Sequence, residues 1–311
     1  MKQFNLLKSE IDLKFKEILK REISNPKILE MFDYVLDGGK RLRPILFYCI
    51  LDSAPDNTYK EFIYEMCLSL ELLHTISLVL DDLPCMDNDT IRRGKDAFHI
   101  KFGERQANLF VGYGWYICIK LIRNNIFKNN ELFDKNAEVT KRILSVIYKN
   151  MGMLGACTGQ FLDLCPIMPG INKKEFIDTY SSKEGLMEIL NLKTTTIFKL
   201  CMLCGFILGN YEFNESIIDE MSYNYGLAFQ IFDDFDDITQ DTIRKAEGYF
   251  TPNFILSYGL NEAYLIFNNS INKFRDMYHK HIGKNIIIDE ITIYLSTSVQ
   301  KHYLEMNTES S

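Results

Sequence analysis

Thr58–Leu83, TYKEFIYEMCLSLELLHTISLVLDDL, decides the fold. From Tyr59 to Leu83 the run is apolar on nearly every side, the pattern of a helix buried at the centre of a domain rather than laid on its surface. Thr58 with Glu61 makes a capping-box pattern at its start, and Pro84 ends it. Outward from this run the chain reads as helix after helix. Lys8–Arg21 is a polar amphipathic start. Pro166, Pro169 and Gly170 make a loop, and Asn172 with Glu175 caps the helix that follows. Asn191–Leu208 and Met221–Asp241 are further helical patterns, while strand-like alternation is absent over any useful length. No repeat, low-complexity tract or linker interrupts the 311 residues. The expectation is one all-α domain over residues 1–311, with a frayed polar tail from about Glu305.

The end of the central run carries chemistry. HTISLVLDDLPCMDNDTIRRG, His74–Gly94, reaches Asp81 and Asp82, breaks at Pro84, returns with Asp87 and Asp89, and turns basic at Arg92 and Arg93. Residues three, four and seven apart share a helical stripe, so His74, Ser77 and Asp81 lie on one face. Carboxylates at the end of a buried helix are costly unless a cation neutralises them. Hard oxygens suit Mg²⁺, which keeps waters and binds a few carboxylates plus phosphates; guanidinium groups match phosphate oxygens in bidentate fashion. A solvated acidic loop followed by a basic one is the bland alternative. A second stretch, GLAFQIFDDFDDITQD at Gly226–Asp241, repeats the arrangement. Gly226, Gln230, Asp234, Asp237 and Asp241 fall on one stripe with Asp233 beside them, and such charges repel on an isolated helix. Two acidic helical faces point to several Mg²⁺ ions held between facing helices, with a pyrophosphate as the natural ligand.

Weaker signals accompany these. DGGKRLRP, residues 37–44, sets Gly38 and Gly39 for a tight turn and Lys40, Arg41 and Arg43 around an anion; alone, a glycine turn with a solvated basic tail explains it as well. His74 is either a core histidine or a ligand on the face of Asp81. GQFLD (159–163) and LKTTT (192–196) are polar islands in apolar runs, and Lys193 must snorkel or meet an anion. Bulk properties set the class: 47% hydrophobic and 25% charged residues are ordinary for a globular protein, and the net charge of −7 argues against a nucleic-acid partner. The N-terminus is not a signal peptide, no uninterrupted apolar stretch spans a bilayer, and the expected location is cytoplasmic. Eight scattered cysteines (Cys49, Cys67, Cys85, Cys118, Cys157, Cys165, Cys201, Cys204) fit a reducing compartment. The Cys201–Cys204 CxxC sits in an apolar run and reads as a pair of buried helix cysteines rather than a redox centre.

Taken together, GGKRLRP (38–44), ELLHTISLVLDDLPCMDNDTIRRGK (71–95), GQFLD (159–163), LKT (192–194) and FQIFDDFDD (229–237) resemble the trans-isoprenyl diphosphate synthases, the polyprenyl synthetase family. The order and approximate separations match over about residues 30–260. The first motif, with two extra residues between Asp82 and Asp87, looks most like geranylgeranyl diphosphate synthases. The resemblance implies a helical bundle around a deep central cavity, a homodimer, and Mg²⁺ bridging the two acidic motifs through Asp81, Asp82, Asp87, Asp233, Asp234 and Asp237. It implies that Asp81, Asp82, Lys193 and Asp233 are catalytic. Arg92, Lys193, Thr194, Gln230 and Lys245 would bind an allylic diphosphate; Gly39, Lys40, Arg43, His74 and Arg93 would bind isopentenyl diphosphate. Ile76 and Ser77 would line the chain-length pocket, where aromatic residues shorten the product, so a geranylgeranyl product is expected. Phe229, Phe232 and Phe235 are placed to pack the core or to face a cation.

Four departures stand out: Leu80 where a histidine is common, Tyr113 in place of an aspartate, Thr195 in place of a small residue, and a shortened segment TIRKAEGYFTPNF that leaves only Lys245 to serve the diphosphate. An all-α terpene cyclase and a non-catalytic partner subunit are the alternatives. A cyclase has no second diphosphate to hold, and a non-catalytic subunit has no need for complete acidic motifs.

Overall fold

The computed structural model describes residues 1–126, 133–164, 170, 172–247 and 251–309. The described residues are almost wholly α-helical, as the periodicity requires, with one two-stranded hairpin. Packing divides the chain into two compact units, one of Asn5–Leu144 with Cys204–Tyr211, the other of Met1–Phe4, Ser145–Leu203 and Glu212–Ser311. Cys165, Pro166 and Pro169 lie outside the described residues.

The first unit follows the chain through α1 (Lys2–Glu22), α2 (Pro26–Leu36), α3 (Leu42–Asp52), α4 (Ile63–Asp81), the hairpin β1 (Ile91–Arg92) and β2 (Lys95–Asp96), α5 (Phe98–Phe102), α6 (Glu104–Ile126) and the first part of α7 (Phe133–Met151). Asn25 caps α2 by accepting from the N–H groups of Lys27 and Ile28, with Pro26 at the first helical position, where no amide hydrogen is needed. The central helix is buried all round, polar positions included. Three of the four buried ones have partners: Glu71 meets the buried Arg41 at 2.7 Å, Glu65 meets Arg21 at 3.2 Å, and Ser69 Oγ donates to the Glu65 carbonyl at 2.9 Å, while the Thr75 hydroxyl has none among the described residues. Gly114 lets α6 close on α4, since a Cβ there would stand 2.3 Å from Ile76 Cγ2.

The second unit holds α8 (Ala156–Leu164), α9 (Lys173–Tyr180), α10 (Lys183–Leu190), a π turn (Asn191–Thr195), most of α11 (Thr196–Leu208), α12 (Glu215–Asp236), α13 (Ile238–Ala246), α14 (Phe254–Tyr258), α15 (Leu260–His281) and α16 (Ile286–Glu309). Asn172 caps α9 on the Glu175 N–H as its sequence predicts. Phe229, Phe232 and Phe235 are core residues, 6%, 2% and 1% exposed, which favours packing over cation contact. Tyr225 of α12 packs on Phe274 of α15 with ring centroids 4.5 Å apart.

Several boundaries differ from expectation. Thr58 does not cap the central helix: its N–H and hydroxyl both donate to Asp56 Oδ1, a closer carboxylate, and the chain enters α4 through a 3₁₀ turn at Lys60–Phe62. The helix expected over Met221–Asp241 breaks at Asp237, whose φ of −97° and ψ of 1° end α12, so Asp241 belongs to α13. The expected frayed tail is helical through Glu309. As helices, Lys60–Asp81 and Lys183–Leu208 are long and apolar enough to cross a membrane by length and composition, contrary to the sequence reading. Their most apolar windows are 67% and 72% buried inside the protein, which makes them core helices. Cys201 and Cys204 are both fully buried on α11.

Candidate active site

In the first unit the acidic motif splits by direction. Asp82, 2% exposed, turns inward and accepts from Arg92 Nε at 2.9 Å. Burial pushes its carboxyl up, and the Arg92 guanidinium pulls against that shift. Asp81 is half-buried at the end of α4 and Asp87 exposed, with the Asp87 N–H donating to the Asp81 carbonyl at 2.9 Å. The hairpin that follows pairs Arg92 with Lys95 and turns at Arg93 and Gly94, both in the left-handed region at φ 55° and 73°. Arg92 also reaches Asp89 at 3.1 Å.

Beside this motif stands a cationic cluster. Arg43 Nη1 lies 3.2 Å from His74 Nε2. An arginine only donates, so His74 accepts there and carries its proton on Nδ1. Burial holds the His74 imidazole well below its ordinary pKa, and Arg43, Arg93, Arg92 and Arg41 reinforce that direction. Arg93 is pulled below the usual arginine value by burial and anchored by donating to the Val35 carbonyl at 3.0 Å. Lys40 is exposed. Arg41 is not part of an anion cradle: it is 4% exposed and spent on Asp12 and Glu71, both at 2.7 Å. Gly39 is where that guanidinium needs room, since a Cβ would meet Arg41 Nη1 at 2.1 Å. Ile76 is docked on Gly114, whereas Ser77 is half-buried and donates to the His74 carbonyl at 2.8 Å.

The second unit assembles its own polar wall. Gly159 of α8 permits contact with the π turn, where a Cβ would stand 2.4 Å from the Lys193 backbone nitrogen. This approach sets Asp163 of GQFLD against the Lys193 ammonium, an ion pair the motif spelled but to which no role was given. Thr194 Oγ1 donates to Gln230 Oε1 at 2.9 Å, and Gln230 Nε2 donates to Asp234 Oδ1 at 2.9 Å. Phe254 N–H donates to Asp234 Oδ2 at 2.7 Å. Asp234, 3% exposed, therefore has both carboxylate oxygens engaged within the protein. Burial pushes its carboxyl up to about 8, against the pull of the Phe254 and Gln230 hydrogen bonds. Asp233 is half-buried and Asp237 exposed. Lys193, Thr194, Gln230 and Asp163 share a cavity of about 110 Å³ with Leu186, Ile189, Leu190, Pro252 and Phe254. Lys245 does not line it; exposed on α13, it donates to the Leu256 carbonyl at 3.4 Å. Thr195, unusual for its position, fits because Gly226 opposite has no side chain; a Cβ there would meet Thr195 Oγ1 at 2.5 Å.

The donor set fits Mg²⁺. Asp81 and Asp87 in one unit and Asp233 and Asp237 in the other offer half-buried or exposed carboxylate oxygens of the kind Mg²⁺ takes, while Asp82 and Asp234 are buried. Among the described residues no three acidic, histidine or cysteine side chains form a ready-made cage.

The polyprenyl synthetase family profile matches residues 25–249. Farnesyl diphosphate synthase of Buchnera aphidicola is 34% identical over 218 residues, covering 68% of this chain and 67% of that protein. Geranylgeranyl diphosphate synthase of Cyanophora paradoxa is 30% identical over 222 residues, covering 68% and 66%. A geranyltransferase from Helicobacter pylori, solved with magnesium and isoprenyl diphosphate, superposes with a TM-score of 0.70 at 23% identity over 94% of this chain and 96% of its own. The chain belongs to the polyprenyl synthetase family, the trans-prenyltransferases, and has their all-α fold.

Proposed function

We propose that the protein elongates prenyl chains, condensing isopentenyl diphosphate with dimethylallyl, geranyl or farnesyl diphosphate and ending at geranylgeranyl diphosphate. The carrying observation is the presence of two separate polar subsites: Arg43, His74 and Arg93 in one unit, Lys193, Thr194 and Gln230 in the other. A reaction with one diphosphate substrate needs only one. Lys193, Thr194 and Gln230 bind the allylic diphosphate in the second unit; Gly39, Lys40, Arg43, His74 and Arg93 hold isopentenyl diphosphate in the first. Asp81 and Asp87, with Asp233 and Asp237, hold Mg²⁺, which when bound takes up charge developing on the departing diphosphate. The allylic C–O bond breaks with its electron pair leaving on the diphosphate. The double bond of isopentenyl diphosphate then attacks the allylic C1, and the released diphosphate takes the proton whose loss forms the new double bond.

The product assignment rests on Ile76 and Ser77, neither of them aromatic. Relatives include both farnesyl and geranylgeranyl synthases, so product analysis decides it. The working form is a homodimer: α6 exposes Leu109 and Tyr116, two turns apart, at 54% and 62%. Its helix-borne cysteines fit the cytoplasm. The test is incubation with Mg²⁺, isopentenyl diphosphate and each starter in turn, beside Asp81→Ala and an EDTA-treated sample. A geranylgeranyl product lost in both controls is expected. Hydrocarbon formed without isopentenyl diphosphate would mean a cyclase, and no product from any starter would mean a non-catalytic subunit.

A further inference from the structure

Asp241 and Asn253 have no part in the reaction as described, yet they meet in a partly buried contact. Asn253 is fully buried. Its Nδ2 donates to Asp241 Oδ2 at 2.8 Å and to the Asp234 carbonyl at 3.2 Å. Its Oδ1 accepts from the N–H groups of Ile255 and Leu256 at 2.9 and 3.2 Å, capping α14. Both amide hydrogens and both lone pairs are used, the condition under which a buried amide carries no large penalty. Capping alone would be served by serine, threonine or aspartate. Asparagine caps and donates twice, so the demand at 253 goes beyond ending a loop.

We propose that Asn253 is a positioning residue of the allylic diphosphate subsite, clamping the end of α12, α13 and the start of α14 together through Asp241; this rests on the allylic assignment of Lys193, Thr194 and Gln230. The consequence runs residue by residue. The clamp sets the Phe254 N–H on Asp234 Oδ2, which leaves Oδ1 for Gln230 Nε2, which turns Gln230 Oε1 toward Thr194. Pro252 and Phe254, on either side of Asn253, line the cavity that holds Lys193.

The test is steady-state kinetics on Asn253→Ser, which keeps a cap oxygen and drops both donors. The KM for the allylic substrate should rise about tenfold, while kcat and the KM for isopentenyl diphosphate stay within about twofold. Asn253→Asp should be worse, since two carboxylates then face each other. The exchange Asn253→Asp with Asp241→Asn restores the amide–carboxylate pair though not the donation to the Asp234 carbonyl, and should bring the allylic KM clearly below that of Asn253→Asp alone. Both KM values moving together, or an exchange no better than Asn253→Asp alone, would overturn the clamp. If the wild type forms no product, the synthase reading fails, and calorimetry with geranyl thiolodiphosphate and Mg²⁺ decides the clamp. Equal affinity for wild type and Asn253→Ser, or no binding by either, overturns it.

Discussion

Asp82 and Asp234 are the second aspartates of their motifs, and both turn inward, to Arg92 and to Gln230 with the Phe254 amide. Helical spacing put Gln230 and Asp234 on one stripe, and their hydrogen bond is that spacing made physical. Which aspartate faces the core was not legible, because motifs of one residue type carry no directional signal. Arg41 was misread for a related reason: its partners, Asp12 and Glu71, are 29 and 30 residues away. Asp234 has a measurable consequence. Its folded pKa of about 8 lies above the ordinary aspartate value of about 3.9, so the unfolded chain sheds the proton first as pH rises. Stability in EDTA should therefore fall from about pH 4 to about pH 8, by up to about 1.4 kcal/mol per pH unit. Urea unfolding across that range reads the slope, and Asp234→Asn should flatten it; an unchanged slope in that variant would place the titration elsewhere. Ser77→Phe should shorten the product to farnesyl or geranyl diphosphate, read by chromatography of the hydrolysed products. Unchanged length would move the pocket floor away from Ser77, and Ile76, docked on Gly114, is less suited to that role.

At the scale of elements, helix identity was legible and helix ends were not. The α4 run announced itself by length and all-round hydrophobicity, but its start is set by Asp56, which competes for Thr58 more closely than Glu61 does. The break at Asp237 hid because the 3.6-residue period carries on to Asp241 across it. GQFLD and LKT were recognised as polar islands, and their contact through Gly159 became visible only when α8 met the π turn. Gly159→Ala should cost about 1–3 kcal/mol through overpacking and lower activity by displacing the Lys193 backbone. Thermal melts and turnover measured together check this, and a variant with wild-type values for both would mean that α8 has room to shift.

For the whole chain, the net charge of −7 argued against a nucleic-acid partner, and the order of five motifs pointed to the family. A self-association surface carries no period of its own, so the exposed pair on α6 had to be seen in three dimensions. Leu109→Glu with Tyr116→Glu should convert a dimer to a monomer, measured by light scattering after gel filtration; a variant that still elutes as a dimer would assign the interface to another face. The π turn at Asn191–Thr195 has a further consequence, for the chain's history. It holds one residue more than an α-helical turn. Losing that residue would restore a regular helix and rotate α11 by about 100° against α10, carrying the Lys199 side chain into the fully buried position of Phe198. A residue gained or lost within the five around Lys193 is therefore costlier than one in an exposed loop.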